Sequence, residues 1–482
     1  MNEDKTAVEQ FIEILQAVNG FVWSEKFLIP LLLLTGLFLM AGLSAMPIRK
    51  IPFAVGELFR KREGQGEGEV SPFGALMTAL SSTIGTGNIA GVAAAIAIGG
   101  PGAVFWMWMT AIVGTATKYS EGVLALTYRE TDASGAHVGG PMYYIKNGMG
   151  PKWIWLAGTF ATFGIFASWG TGALVQSNSI ADGLKSAYGI NAYLTGGTLA
   201  AAAAAVILGG VKRIAGVASK LVPFMAATYL LAGIIVIGAN ITEVPGAFAT
   251  IVKGAFGLDS AGTGITIGLM MLAMQKGVAR GIFSNEAGQG SAPIAHAAAK
   301  NKDPVNQGTV AMLGTVIDTL IVCTITALVI LTSGVIPETC VPGIETLSIY
   351  QGGLQPDGCD TGVPLTASAF DATLVGVGEH IVSISLVIFA FTTILGWSYY
   401  GERCAAFLFS EKAILPFRIS WVVVVFIGSA LIGFQDKIAN IVNIVWVSAD
   451  TLTGLMAAPN LVAVIFLSPV VFAMTKEYFA KR

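Results

Sequence analysis

One long apolar segment, from Phe73 to Ile98, is interrupted by residues that a membrane helix avoids. Its middle reads Ser81-Ser82-Thr83-Ile84-Gly85-Thr86-Gly87-Asn88. A stretch of this length can span a bilayer as a helix, but glycine weakens a helix by about 1 kcal/mol relative to alanine, and asparagine is costly in lipid. Because freed backbone groups at membrane depth must face protein or a water-filled cavity, we predict a broken helix that lines a site. The alternative is close helix packing through small residues.

The rest of the chain has the same apolar character. Of its 482 residues, 54% are hydrophobic and 12% are charged, whereas about a quarter of a soluble domain is charged. Basic residues collect in alternate connections, which predicts that these connections are cytoplasmic. We expect an all-α polytopic membrane protein with about eleven spans, its N-terminus outside and its C-terminus cytoplasmic. The net charge of −2 gives no reason to expect a nucleic-acid partner.

Two runs of five predicted spans have opposite orientation, and each run begins with an interrupted segment. This is the layout of a secondary transporter with a five-plus-five inverted repeat and broken helices. A mixed apolar and acidic pattern near the N-terminus suits a helix on the membrane surface. The predicted divisions are an extracellular N-terminal segment (1–26), an extra transmembrane helix (27–46), a cytoplasmic linker (47–72), the first repeat (73–239), an extracellular loop (240–262), the second repeat (263–475) and a cytoplasmic tail (476–482).

The second interrupted segment carries Lys276, Arg280 and Glu286 at mid-depth. Ionisable residues there are rare, usually paired and by default functional. Arg280 and Glu286 are too far apart in sequence to pair on one helical face; a break at Gly281 would bring them together, or each pairs elsewhere. We interpret them as a structural or gating ion pair rather than as substrate ligands, and we expect Gln275, Gly277 and Gly281 to line the site.

Broken helices offer two kinds of binding group. The N-terminus of a half-helix suits a carboxylate, and bare carbonyls at a C-terminus suit a small cation. Calcium and magnesium usually take Asp or Glu, and the first interruption has none, which favours sodium as the coupling ion. Protons remain an alternative because Glu286, Glu121 and Asp318 also lie in apolar segments. The adjacent Thr392 and Thr393 alone predict only hydrogen bonds to the preceding turn.

Other function classes find little support in the sequence. His137, His296 and His380 are scattered, and no Cys-x-x-Cys pair occurs, so we do not expect an enzyme with a metal site or a nucleophile–base pair. No repeated filter-like motif indicates an ion channel. We predict a disulfide between Cys340 and Cys359 because both fall in one predicted external loop.

Three motifs resemble a known family. Residues 81–92 (Ser-Ser-Thr-Ile-Gly-Thr-Gly-Asn-Ile-Ala-Gly-Val), 139–145 (Gly-Gly-Pro-Met-Tyr-Tyr-Ile) and 280–293 (Arg-Gly-Ile-Phe-Ser-Asn-Glu-Ala-Gly-Gln-Gly-Ser-Ala-Pro) resemble the alanine or glycine:cation symporter family of the amino acid–polyamine–organocation superfamily. The resemblance implies the fold of the bacterial leucine transporter. It also implies sodium-coupled import of small neutral amino acids, alanine or glycine, by alternating access.

The same resemblance implies roles for individual residues. The amides of Thr86 and Gly87 would hold the substrate carboxylate, and Ser168, Trp169 and Gln176 would face the substrate from the third core helix. Gln275, Gly277 and Gly281 are further substrate candidates. The sodium ligands would be the Asn88 side chain and Thr83 carbonyl at one site, and the Ser81 and Ile84 carbonyls with Thr392 and Thr393 at another.

Overall fold

The structure, a computed structural model, describes most of the chain. The expected disulfide between Cys340 and Cys359 lies outside the described residues. These are residues 7–59, 66–258, 263–336, 361–434 and 441–481.

The described chain is almost entirely helical. Four helices precede the first interrupted segment: α1 (Ala7–Val22), α2 (Leu28–Gly42), α3 (Met46–Arg49) and α4 (Ile51–Phe59). The next group is α5 (Pro72–Thr83), a π-helical turn (Gly87–Gly91), α6 (Val92–Gly99), α7 (Gly102–Thr127), α8 (Pro141–Tyr144), a π-turn (Ile145–Met149), a 3-10 turn (Pro151–Trp153), α9 (Ile154–Ala167), a π-turn (Ser168–Leu174), α10 (Val175–Tyr188), α11 (Ala192–Ile207) and α12 (Gly210–Ala239).

The second half also begins its spanning part with an interrupted helix. Its elements are α13 (Val244–Ala255), α14 (Thr263–Asn285), α15 (Ala292–Ala297), α16 (Pro304–Thr315), a π-helical segment (Val316–Cys323), α17 (Thr324–Thr332), α18 (Gly362–Asp371), α19 (Gly378–Phe409), a 3-10 turn (Glu411–Ala413), α20 (Ile414–Ala430), a 3-10 turn (Leu431–Phe434) and α21 (Ile441–Ala480).

A short β-hairpin is the one sheet in the described part of the chain. Strand β1 (Glu130–Thr131) pairs antiparallel with β2 (His137–Val138). The turn between them carries Asp132, whose carboxylate lies 3.3 Å from Arg403 near the end of α19. The hairpin therefore lies at the face of the bundle where α19 ends, and we call this the hairpin face.

Several described helices have the length and apolarity of membrane spans. Five single helices qualify, and α5 with α6 adds one broken span bent by 54°. Helices α2 and α11 are apolar but shorter. These helices agree with the expectation of a multi-pass membrane protein, whereas the number of spans and the division into repeats stay predictions.

Local sequence signals explain where the first interrupted helix begins and ends. Ser71 caps α5 by accepting a hydrogen bond from the Gly74 amide at 3.0 Å, and Pro72 occupies the first helical position, where its missing N–H costs nothing. The helix ends at Thr83 because Ile84 takes an extended conformation. The expected break in the first segment is therefore present, three residues long, with a new helical turn from Gly87.

The second interruption lies toward the end of the interrupted segment. Helix α14 passes through Gly281 and ends at Asn285, so the alternative of a break at Gly281 is wrong. Glu286, Gly288 and Gly290 have φ values of +56°, +87° and +81°, a region that only glycine adopts easily. This left-handed stretch separates α14 from α15.

Close packing between α7 and α14 explains the glycines within α14. A Cβ at Gly277 would lie 2.2 Å from the Ala103 carbonyl oxygen, and one at Gly281 would lie 2.4 Å from Thr110 Oγ1. Small residues at helix contacts in membranes let backbones approach closely. For this segment, packing is the observed role of the two glycines.

We predict that Gly277→Ala destabilises the protein. Its new Cβ would clash with the α7 backbone, and overpacking typically costs about 1–3 kcal/mol. The matched control is Gly216→Ala, in the interior of α12, where a Cβ meets nothing within 4 Å and alanine stabilises a helix by roughly 0.5–1 kcal/mol. Thermal melting of the detergent-purified variants measures both effects; equal melting temperatures for Gly277→Ala and the parent protein would contradict the packing role.

Candidate transport site

The first break is closed by its own asparagine. Asn88 Oδ1 accepts a hydrogen bond from the Gly85 amide at 2.9 Å, while the Ile84 amide still bonds to the Leu80 carbonyl at 2.8 Å. Thr86 is buried, and its Oγ1 has no hydrogen-bond partner in the part of the chain that the structure describes. A buried hydroxyl without a partner is costly, so Thr86 offers an oxygen that a bound ligand would satisfy.

A buried carboxylate lies directly beside Asn88. Asn88 Nδ2 donates to Asp318 Oδ1 at 2.7 Å. The second oxygen, Oδ2, accepts from Ser284 Oγ at 2.8 Å and from Thr319 Oγ1 at 2.7 Å. Asp318 belongs to the π-helical segment after α16 and is fully buried. From the sequence this acid was only a proton candidate; its contact with Asn88 joins residues far apart in the chain.

The two candidate threonines of α19 point in different directions. Thr393 Oγ1 donates to the Ile84 carbonyl at 3.4 Å and to the Phe389 carbonyl at 3.0 Å, so it reaches the first break. Thr392 Oγ1 also bonds to Phe389, at 2.9 Å, and lies 3.6 Å from the sulfur of Met225 in α12. The structure brings Thr393 and Ile84 together as expected for a shared site.

The side chains of Ser81 and Thr83 are occupied within their own helix. Ser81 Oγ donates to the Thr78 carbonyl at 2.7 Å, and Thr83 Oγ1 donates to the Leu80 carbonyl at 3.2 Å. The role that the resemblance implies for these two residues uses their carbonyl oxygens. Both residues lie in the last turn of α5, where carbonyls have no intrahelical partner.

Of the three candidates on the third core helix, Gln176 contacts the break. Its Oε1 accepts from the Thr86 amide at 3.5 Å, and its Nε2 donates to the Thr171 carbonyl at 3.1 Å. Ser168 Oγ bonds to the Ile165 carbonyl at 2.7 Å and packs against Gly401 of α19. Trp169 stacks on Phe417 of α20 with ring centroids 5.8 Å apart. The structure does not bring Ser168 and Trp169 to the first break.

The candidates on α14 lie against other elements. Gln275 Nε2 donates to the Trp23 carbonyl at 3.4 Å, and Gly277 and Gly281 pack on α7 as described above. The residues of α14 nearest to Gly87 are instead Phe283 and Ser284, whose atoms lie 3.2 and 3.3 Å from the position of a Cβ on Gly87. Neither residue was a candidate from the sequence, because no local pattern marks a contact with Gly87.

A cavity of about 400 Å³ opens beside the first break. It leads from Thr86 past Phe283 and Arg280 toward the first turns of α18 and α21. We call this side of the bundle the α1 face, because α1 contacts α21 there. The remaining lining residues are Ala90, Gly91, Ala94, Asn178, Ser179, Asp182, Thr361, Gly362, Val363, Pro364, Val442 and Trp446.

Arg280 and Glu286 do not pair with each other. Arg280 forms an ion pair with Asp450 of α21 at 3.6 Å, and its guanidinium lies 5.6 Å from the ring centre of Phe283. Glu286 accepts a hydrogen bond from Ser291 Oγ. The expected Arg280–Glu286 ion pair is therefore wrong, because α14 continues to Asn285 and carries the two side chains to different regions.

Ionisable side chains also surround the second interruption. Lys118 and Glu121, one turn apart on α7, and Glu286 are all buried. Glu121 Oε1 accepts from Asn460 Nδ2 at 2.7 Å, and the same amide nitrogen donates to the Gly288 carbonyl at 2.9 Å. Asn460 of α21 thus joins Glu121 of α7 to the left-handed stretch and satisfies one of its carbonyl groups.

Comparison with known proteins identifies the family. Residues 8–482 match the family model described as the sodium:alanine symporter family. The chain is 47% identical to the sodium/alanine symporter AgcS of Methanococcus maripaludis, over 97% of both proteins. It is 38% identical to a putative sodium/proton-dependent alanine carrier, YrbD, of Bacillus subtilis, over 97% of this chain and 92% of that protein.

A solved structure shows the fold. MhsT, crystallised in complex with L-phenylalanine, superposes with a TM-score of 0.54 at 13% identity, over 85% of this chain and 98% of MhsT. MhsT has the fold of the bacterial leucine transporter. The family and the relatives above are transporters and not enzymes. This chain belongs to the sodium:alanine symporter family.

Proposed function

We propose that the protein imports small neutral amino acids, alanine or glycine, coupled to sodium. The observation that carries the proposal is the first break: Thr86 offers an unpartnered hydroxyl at the end of a cavity, and Asn88 and Asp318 lie just behind it. Substrate and ion sites that share one break explain coupling, because each ligand then favours the same conformation.

The substrate site in this proposal lies at the start of the second half of the broken helix. The amides of Thr86 and Gly87 suit a carboxylate because the N-terminus of a helix carries partial positive charge. Gln176 contributes an amide oxygen beside Thr86, and Phe283 covers Gly87. The aromatic wall and the short distance between elements favour a small side chain on the substrate.

One sodium ion in this proposal binds beside Asn88 and Asp318 and would replace the hydrogen bond of 2.7 Å that now joins the two side chains. The ligands would be the Asn88 side-chain oxygen, the Thr83 carbonyl and the Asp318 carboxylate, all hard oxygens of the kind that small cations prefer. A second sodium would use the Ser81 and Ile84 carbonyls with Thr393 and Thr392, of which Thr393 already contacts Ile84.

The orientation follows from the distribution of basic residues. If the connections rich in lysine and arginine are cytoplasmic, the α1 face is extracellular and the hairpin face is cytoplasmic. The cavity then opens to the outside, as uptake requires. Alternating access would close it on the α1 face and open a path on the hairpin face.

Proton coupling is the second candidate. The buried Glu121 and Glu286 around Lys118 are the observation that favours it, since intramembrane acids often carry protons. Replacing sodium by choline separates the two: alanine binding that persists without sodium but changes with pH would support proton coupling instead.

We predict that Thr86→Val separates stability from binding. Valine keeps the volume and removes a buried hydroxyl that lacks a partner, so the ligand-free protein should melt at the same or a higher temperature. Alanine affinity in sodium should fall about tenfold or more, as for a lost hydrogen bond of roughly 1–3 kcal/mol. Isothermal titration and thermal melting measure the two quantities, and Thr86→Ser, which retains the hydroxyl, is the control. Unchanged alanine affinity in Thr86→Val would exclude the hydroxyl from the site.

We predict that Asp318→Asn weakens sodium more than it weakens folding. The variant keeps side-chain shape but loses the charge that would attract the ion, so the sodium concentration for half-maximal alanine binding should rise at least about tenfold, or about 1.4 kcal/mol. Asp182→Asn, on the cavity wall, is the matched control and should leave that concentration unchanged. A sodium dependence that is the same in both variants would remove Asp318 from the ion site.

A further inference from the structure

The N-terminal segment packs on two core helices through its own apolar cluster. Val22 and Trp23 at the end of α1 are buried with three residues of α2. Their partners come from α14 and α21 and not from the main core. The cluster comprises Val22, Trp23, Leu28, Ile29 and Leu32 with Val278, Ile282, Ala457 and Leu461.

Polar contacts from Trp23 join the same two helices. The indole Nε1 donates to the Asp450 carbonyl of α21 at 3.1 Å, and the Trp23 carbonyl accepts from Gln275 Nε2 of α14 at 3.4 Å. One turn earlier, Asn19 Nδ2 donates to Thr451 Oγ1 at 3.0 Å. Trp23 is therefore a bridge between α14 and α21 that lies outside the two predicted repeats.

Trp23 bonds to the same residue of α21 that forms the ion pair beside the cavity. Asp450 accepts the Trp23 indole with its backbone and holds Arg280 of α14 with its carboxylate, 3.6 Å away. Arg280 and Phe283 line the cavity above Thr86. The backbone of Asp450 is thus fixed by Trp23 at the point where its side chain connects α21 to α14.

The outer side of α1 suits a position at the membrane surface. Phe11, Ile14, Val18 and Phe21 are 54%, 64%, 42% and 60% exposed. These residues recur at helical spacing on one side, the pattern of a helix that lies in the membrane interface. A helix that contacts lipid on one side and α14 and α21 on the other limits how far these two core helices move.

We infer that Trp23 is a positioning residue for transport: it holds Asp450 against Arg280 and so favours the conformation of this structure, in which the cavity is open on the α1 face. This inference rests on the proposed function for its role in the transport cycle. The contact itself touches neither the substrate nor the ion. Loss of the indole N–H should therefore shift the population of open and closed cavities without changing the binding groups.

The test measures access to the cavity directly. Ala94→Cys places a thiol on the cavity wall, in a background with Cys340→Ser and Cys359→Ser, and a membrane-impermeant maleimide probes it in proteoliposomes. Trp23→Phe keeps an apolar ring and removes the indole N–H. We expect labelling about threefold to tenfold slower than in the parent, the size expected from the net value of one hydrogen bond. Trp155→Phe, whose side chain is 60% exposed, is the matched control and should label at the parent rate.

A double variant distinguishes loss of the contact that positions Asp450 from a general loosening of the fold. With Arg280→Gln the ion pair is absent, so adding Trp23→Phe should give no further decrease in labelling; independent effects would instead multiply. In transport assays, Trp23→Phe should change the maximal rate, and the apparent alanine affinity at saturating sodium should change by no more than the labelling rate does. An unchanged labelling rate in Trp23→Phe, or multiplying effects in the double variant, would overturn the inference.

The labelling assay needs neither sodium nor alanine. If labelling responds to Trp23→Phe as expected while the parent binds no alanine in sodium, the proposed function fails and the positioning role stands. If the parent binds alanine in sodium and labelling does not respond, the positioning role fails and the proposed function stands. Melting temperatures of both tryptophan variants within a few degrees of the parent confirm that the comparison concerns folded protein.

Discussion

The structure depends on how the backbone N–H and C=O groups find hydrogen-bond partners where a helix stops inside the membrane. In hydrocarbon, each free N–H or C=O group costs several kcal/mol, so a broken helix survives only if its ends find partners. At the first break, Asn88 supplies one partner by accepting from the Gly85 amide, and its own amide group is held by Asp318. At the second, Asn460 donates to both Glu121 and the Gly288 carbonyl. Each break is therefore held by side chains from helices distant in sequence, and the groups left over at the first break are the ones available to a ligand.

The sequence alone predicted both interruptions but did not locate the second. Two glycines and an asparagine within eight residues of apolar chain predicted the first, and the structure has it between Thr83 and Gly87. In α14 the glycines have a different role, since Gly277 and Gly281 allow the close contact with α7. The real break begins at Glu286, which takes a left-handed conformation that non-glycine residues adopt only when their surroundings compensate the cost. Nothing in local composition distinguishes a glycine that is needed for packing from one that is needed for a turn.

Local sequence patterns also did not predict which side chains pair across the bundle. Arg280 was expected to meet Glu286, a short distance along the chain, and it meets Asp450 in the last helix instead. Asn88 and Gln176 were selected through the resemblance, and both contact the first break; Ser168 and Trp169 were selected with Gln176 but face α19 and α20. The π-helical turn from Ser168 to Leu174 changes the rotation of the helix between these positions. Extrapolation of an ideal helical face from Gln176 back to Ser168 therefore fails.

Buried carboxylates lie at both breaks. Glu121 is buried at the second break, and Asp318 is buried beside Asn88 at the first. Buried charge is expensive unless it is compensated, and Asp318 is the acid beside Asn88 and the cavity. In the proposed cycle, an ionised Asp318 would favour a cation beside it, and that cation would in turn favour the carboxylate of an amino acid bound at Thr86. Charge compensation at the first break is thus the physical reason that we propose for coupled binding of ion and amino acid.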